Sequence, residues 1–175
     1  MPAWFSSCWM LLFGRATPRV LPASNAALLQ AAALYAVASM VDAALVFKDG
    51  RAVGFGFADL LFTAIATALI LLVRRRLHRW PQTVLALLGV GFLLTLPSIA
   101  FNAVFGASVT AGAERHGPLV IELLLAGVLC WSIVIVARIM RAALDVDFVT
   151  GMAVSLTYFL TDYLVLVALP ARIAG

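Results

Sequence analysis

Four carboxylates stand where carboxylates are costly. Asp42, Asp59, Glu122 and Asp162 each interrupt an apolar run long enough to cross a bilayer. An ionisable side chain at that depth faces a bundle interior or a water-filled cavity, and it marks a proton or ion pathway by default. Their neighbours are polar at helical spacing. Tyr35, Ser39 and Asp42 form one set, and Asp59, Thr63 and Thr67 a second. Thr95, Ser98 and Asn102 form a third, and Ser155, Tyr158 and Asp162 a fourth. Steps of three or four residues put each set on one stripe of its helix. In lipid, such stripes turn towards one another and bond across helices. The expectation is a polar cluster of Asp42, Asp59, Asn102, Glu122, Tyr158 and Asp162, roughly 5–11 Å below one membrane boundary at helical rise.

Two chemistries compete for this cluster. One is a site for a proton or small cation. The other is structural: Lys48 and Arg51 lie close to Asp42 and Asp59 in sequence, and Arg115 to Glu122, so snorkelling ion pairs would satisfy three of the acids. Asp162, the deepest, is hardest to satisfy in this way. An enzyme would need Asp59 and Asp162 to share a proton and activate water. Yet Gly54-Phe55-Gly56-Phe57-Ala58-Asp59 lacks the Gly-x-Gly-Asp spacing of intramembrane aspartyl proteases, and Phe101-Asn102 lacks the nearby Asp of a lipoprotein signal peptidase. His78 and His116 have no partners at ligand spacing, Cys8 and Cys130 are far apart, and no strand precedes the Gly-x-Gly pairs. No catalytic, cofactor-binding or metal residue is therefore assigned, and the chain is read as a non-enzyme without a cofactor.

The elements that must hold these side chains follow from composition. Of 175 residues, 65% are hydrophobic and 11% charged, against about a quarter charged in soluble domains. The fold class is all-α: a polytopic bundle of five transmembrane helices preceded by a short interfacial helix. Residues 1–23 hold that helix and a linker. Residues 24–175 hold the bundle, with spans at about 26–47, 53–73, 83–105, 119–136 and 148–169, each near the length a bilayer requires. Within residues 3–13, Trp4, Phe5, Cys8, Trp9 and Leu12 share one face, which suggests rings at headgroup depth. Pro81 opens the third span and Pro97 kinks it near Leu93. Phe5-Ser6-Ser7-Cys8 has no charged segment before it, so lipidation at Cys8 is not expected.

Charge sets orientation. Arg74, Arg75, Arg76 and Arg79 form a membrane-surface basic cluster after the second span. With Arg15, Arg19, Arg138 and Arg141 they place eight basic residues on one side, against Lys48, Arg51, Arg115 and Arg172 on the other. The positive-inside bias puts the N-terminus in the cytoplasm and, after five spans, the C-terminus outside. An Arg- and Ala-rich composition suggests a bacterium, hence an inner-membrane location. The net charge of +4 sits at span ends, so the expected partners are membrane lipids and a protein in the membrane, with no nucleic acid.

The layout resembles the Yip family of five-span membrane proteins. The resemblance rests on Leu11-Leu12-Phe13 before the first span, the basic turn after the second, and the final pair of spans from Trp131-Ser132-Ile133-Val134 through Arg138-Ile139-Met140-Arg141-Ala142-Ala143-Leu144. It implies a five-span bundle acting through partners, as eukaryotic members do with Rab-type GTPases. The family's Asp-Leu-Tyr-Gly-Pro signature has no counterpart, so no site residue is carried over. Small size, short loops and the lack of a reaction motif point to a scaffold or accessory subunit. The alternative is a small transporter or channel using the carboxylate cluster for protons or cations.

Overall fold

Backbone groups in hydrocarbon must bond within their own segment, which leaves helices as the economical choice for long Ala, Leu and Val runs. A computed structural model describes residues 3–22, 24–46, 52–110 and 119–168, with backbone alone over 104–110, 119–122, 125 and 167–168. Six helices follow in order: α1 Ala3–Leu12, α2 Asn25–Val46, α3 Ala52–Val73, α4 Trp80–Thr110, α5 Leu119–Leu144 and α6 Phe148–Tyr163, which runs on as a π-helical turn over Leu164–Ala168. Among the described residues there is no strand. Five helices, α2 to α6, are long and apolar enough to cross a membrane. Val53, Phe57, Leu61, Ile65, Leu69 and Leu72 leave an exposed apolar stripe along the length of α3. Water would oppose such a stripe and lipid favours it.

The bundle is built around α4, which touches α1, α2, α3 and α5. Every residue from Thr83 to Val90 is buried, so this part of α4 is enclosed on all sides. The apolar core sits here, at the Arg-rich end. Ala27 and Ala31 of α2 and Ile135, Ile139 and Met140 of α5 close around Leu85 and Leu88 of α4.

The first helix is part of that core. Trp4, Cys8 and Leu11 are buried, and the Trp4 indole donates to the Gln30 side chain at 3.0 Å. Cys8 packs on Gly89 of α4, where an added Cβ would lie 2.4 Å from the Cys8 sulfur. Burial pushes the Cys8 thiol up to about 12, so it packs as a small apolar group. The face expected from sequence included Trp9 and Leu12. Instead Trp9 and Phe13 are half exposed and Leu11 turns inwards, because the seat on α4 selects Trp4, Cys8 and Leu11.

Two other expectations shift. The fifth helix does not end at Val136; it runs to Leu144 and carries Arg138 and Arg141 within its last turns. Nothing between them breaks a helix, and Arg is a good helix former. The fourth helix starts at Trp80, directly after a 3₁₀ turn over Leu77–Arg79, so Pro81 sits at its second position rather than opening it. Pro97 lies within a continuous α4.

Helix ends at the Arg-rich side share one solution. After α1, Arg15 N–H donates to Met10 C=O and Gly14 N–H to Leu11 C=O, both at 2.9 Å. After α3, Arg76 N–H reaches Leu71 C=O at 2.8 Å and Arg75 N–H reaches Leu72 C=O at 2.9 Å. After α5, Val146 N–H reaches Arg141 C=O at 3.2 Å. These are Schellman-type closures, and their turning residues are left-handed: Gly14 at φ 69°, Arg75 at 54° and Asp145 at 52°. For Arg75 and Asp145 that conformation costs about 1–2 kcal/mol.

Candidate functional site: the intramembrane polar cluster

The half of the bundle away from the Arg-rich end is polar inside. On α2, Tyr35, Ser39 and Asp42 line one stripe, as their spacing requires. The Tyr35 hydroxyl and the Ser39 hydroxyl both donate to Oδ2 of Asp59 on α3, at 2.8 and 3.0 Å. One turn along α2, Asp42 turns to α4 instead. Ser98 Oγ donates to its Oδ2 at 3.1 Å, and Asn102 Nδ2 to its Oδ1 at 2.9 Å. The two carboxylates thus pin α2 to both of its neighbours. Close approach makes this possible: a Cβ on Gly91 of α4 would lie 2.7 Å from the Tyr35 ring.

The sixth helix joins through Tyr158. Its hydroxyl and that of Thr63 on α3 are 2.8 Å apart. One turn further, the Oδ1 of Asp162 is buried with no hydrogen-bond partner among the described residues. The Thr67 hydroxyl, fully buried on α3, is likewise unpartnered. Other members of the stripes bond to backbone instead: Thr95 to Gly91 C=O at 2.9 Å and Ser155 to Ile133 C=O at 2.8 Å. Those two hydroxyls satisfy themselves locally or on one neighbour and leave the carboxylates alone.

A cavity of about 340 Å³ lies among these groups, with Tyr35, Asp42, Thr63, Ser98, Ser132 and Tyr158 on its wall. Its remaining lining is largely aliphatic, from α4 and α5. Ser132 had not stood out in the sequence. It lies one turn from Val128 and Val136, which share the wall, so the signal was a lone hydroxyl on an otherwise apolar stripe of α5.

Of the six candidate residues, Asp42 and Asn102 bond directly, Asp59 bonds to Tyr35 and Ser39, and Tyr158 to Thr63. These are three separate hydrogen-bonded sets that border one cavity through Asp42, Tyr35, Thr63 and Tyr158, and Asp162 lies one helical turn from Tyr158. The Glu122 side chain lies outside the described residues, as do Lys48, Arg51, Arg115 and Arg172, the cations expected to neutralise the acids. Within the described residues every hydrogen-bond donor to Asp42 and Asp59 is neutral. Among those residues no cluster of three or more His, Cys, Asp or Glu side chains is arranged to hold a metal ion. The arrangement can hold a proton or a small cation on oxygen atoms of each set.

The basic cluster proves to be more than a surface anchor. Asp145, just after α5, is paired with Arg19, Arg76 and Arg79, the last at 3.0 Å. Arg79 also donates to the Ala142 and Ala143 carbonyls at 3.2 Å. Arg74 and Arg75 take no part in this clamp. Sequence reading counted the arginines but passed over Asp145, the one acid that joins three segments. Comparisons with known proteins add nothing to this picture: no family model, curated protein or solved structure matches the chain.

Proposed function

We propose that this chain is a non-enzymatic, Yip-like protein of a bacterial inner membrane, N-terminus inside and C-terminus outside, whose polar half takes up a proton or a small monovalent cation. The observation that carries this reading is the cavity of about 340 Å³ with Asp42 on its wall and, among the described residues, only neutral donors on Asp42 and Asp59. A carboxylate within a span that is met by neutral donors is a candidate to bind a proton or a cation. The Asp162 Oδ1, without a hydrogen-bond partner among the described residues, is a further acceptor one turn from Tyr158. Purified protein in liposomes tests the reading directly. Proton, sodium or potassium flux is expected, falling at least tenfold in Asp42→Asn and Asp59→Asn. Liposomes carrying folded protein and showing no flux of any of the three would end this reading.

A scaffold role is the second reading, and one observation favours it. Between α3 and α6 an apolar groove of about 470 Å³ runs from Phe62 to Arg74, floored by the small residues Ala66 and Ala153. Helices in membranes associate through small residues that allow close approach. A partner's transmembrane helix fits such a groove. Crosslinking from position 66 or 153 in native membranes tests it; a chain that crosslinks to nothing there is no scaffold on this face.

A further inference from the structure

A second cavity lies at the Arg-rich end, between α5 and the segment that follows α1. It measures about 710 Å³. Its wall has two parts. Leu11, Pro18, Ile135 and Ile139 form an apolar floor, while Arg19, Arg138 and Arg141 stand at the rim. Asp145 is the single acid on this wall, and it is engaged by Arg19, Arg76 and Arg79. Arg138 and Arg141 have neither an ion pair nor a hydrogen-bond acceptor among the described residues, and both are exposed. The cavity therefore offers two uncommitted guanidinium groups above an apolar floor.

Gly14 shapes this site. It closes α1 in the left-handed conformation at φ 69°, and a Cβ there would lie 1.9 Å from the Arg138 guanidinium. Only glycine lets that guanidinium lie against the end of α1 without displacement. Arg138 thus lies against the end of α1 on the cavity wall.

The geometry points to a binding site for an anionic phospholipid, with its phosphate on Arg138 and Arg141 and its glycerol and first acyl carbons on the floor of Leu11, Pro18, Ile135 and Ile139. Guanidinium groups match phosphate oxygens with paired donors. A free phosphate would use the rim and leave the floor and most of the volume unfilled. A zwitterionic lipid would use the floor but gain little from two cations. Position supports the lipid as well, since the cavity opens at the level of the basic span ends, where anionic headgroups gather.

The test uses the full chain purified in detergent, with bound lipid counted by native mass spectrometry after titration with phosphatidylglycerol, phosphatidylcholine or inorganic phosphate. Phosphatidylglycerol is expected to be retained in preference to phosphatidylcholine, and millimolar phosphate to leave it in place. The Arg138→Gln/Arg141→Gln variant should lose about thirtyfold in phosphatidylglycerol affinity. Arg74→Gln/Arg75→Gln, with the same charge change outside the cavity, should keep it. Ala16→Phe fills the floor without touching charge and should lose the lipid too, which preserves the test if the double arginine variant does not fold. Equal losses in the two arginine variants would mean diffuse surface attraction and overturn the site. Retention in both Arg138→Gln/Arg141→Gln and Ala16→Phe would overturn it as well. Displacement by phosphate alone would assign the rim to a soluble anion and overturn the lipid.

Discussion

Asp145 and Asp42 are both carboxylates held by side chains from other segments, and the two ends of the bundle treat them oppositely. Asp145 lies outside the spans, at the Arg-rich end, among three guanidinium groups. Asp42 lies within the membrane and receives a hydroxyl and an amide. The Arg76 hydrogen bond is the largest effect and holds the Asp145 carboxyl below its ordinary range; desolvation opposes it, and the Arg79 hydrogen bond and the charges of Arg19 and Arg76 add to the lowering. The charged form is fixed there. Around Asp42 the described partners are a neutral hydroxyl and a neutral amide. The apolar core lies towards the first end, and the cavity of the polar cluster borders it on the other side, sharing Leu87, Val90, Val136 and Ile139 with it. One end carries an ionic clamp; the other holds its carboxylates with neutral hydroxyls and an amide.

The sharpest way to break this comparison is to remove the anchor. Asp145→Asn keeps a residue that tolerates the left-handed turn while deleting the charge. It should give the largest fall in thermal midpoint of the substitutions considered, because three segments lose their common partner at once. The wild type should also lose midpoint in about 1 M salt, where the Debye length is near 3 Å, and the variant should not. Thermal unfolding in detergent at two salt concentrations reads both. A variant as stable and as salt-sensitive as wild type would show that the arginines act without Asp145.

The pH dependence follows from the same group. Its folded pKa lies below an unfolded value of about 4. Its contribution is therefore complete above that value and is lost as pH falls through the folded value. Asp147 behaves alike, because its carboxylate accepts from the Thr150 hydroxyl at 2.6 Å and from the N–H groups of Val149 and Thr150, which caps α6 and depresses its pKa. Acid titration of stability should show a loss below about pH 4 that is reduced in Asp145→Asn and smaller again in Asp145→Asn/Asp147→Asn. An unchanged acid limb in the double variant would place the titrating groups elsewhere.

The sequence was readable where the physics is local. Long apolar runs gave the five spans, and polar spacing of three and four gave the stripes on α2, α3 and α4. What the stripes bond to was not readable, because Tyr35 and Asp59 are brought together by how α2 crosses α3, and Asp42 and Asn102 by how it crosses α4. The burial of α1 was hidden for a similar reason. Ten residues with two tryptophans look interfacial in isolation, and only Gly89 and Gln30, far along the chain, provide the seat. Asp145 was missed because its partners come from two other segments and its side chain is aimed by a left-handed turn. An acid directly after a helix on the basic side was the available signal.

A second pair of substitutions separates backbone strain from charge at the anchored end. Arg75 and Asp145 both turn in the left-handed conformation, but only Asp145 is clamped. Arg75→Gly should raise stability by about 1 kcal/mol, since glycine carries no penalty there. Asp145→Gly has the same backbone relief and should nevertheless lower stability. If both rise, the clamp contributes less than the strain it requires, and the anchored end is held by packing of the apolar core alone.

The smallest effects belong to the polar half, and they decide what that half is for. Tyr35→Phe removes one of two donors to Asp59, and interhelical hydrogen bonds in membranes average about 0.6 kcal/mol. A double-mutant cycle of Tyr35→Phe with Asp59→Ala should return a coupling of about that size. Stability alone would then give little reason to keep a carboxylate at this depth, where an apolar residue would cost less. If flux collapses in Asp59→Asn while the midpoint barely moves, the carboxylate is retained for what it binds. If the coupling instead reaches several times 0.6 kcal/mol and flux is absent, Asp59 is a structural bolt between α2 and α3, and the two ends differ in the strength of their ties rather than in their purpose.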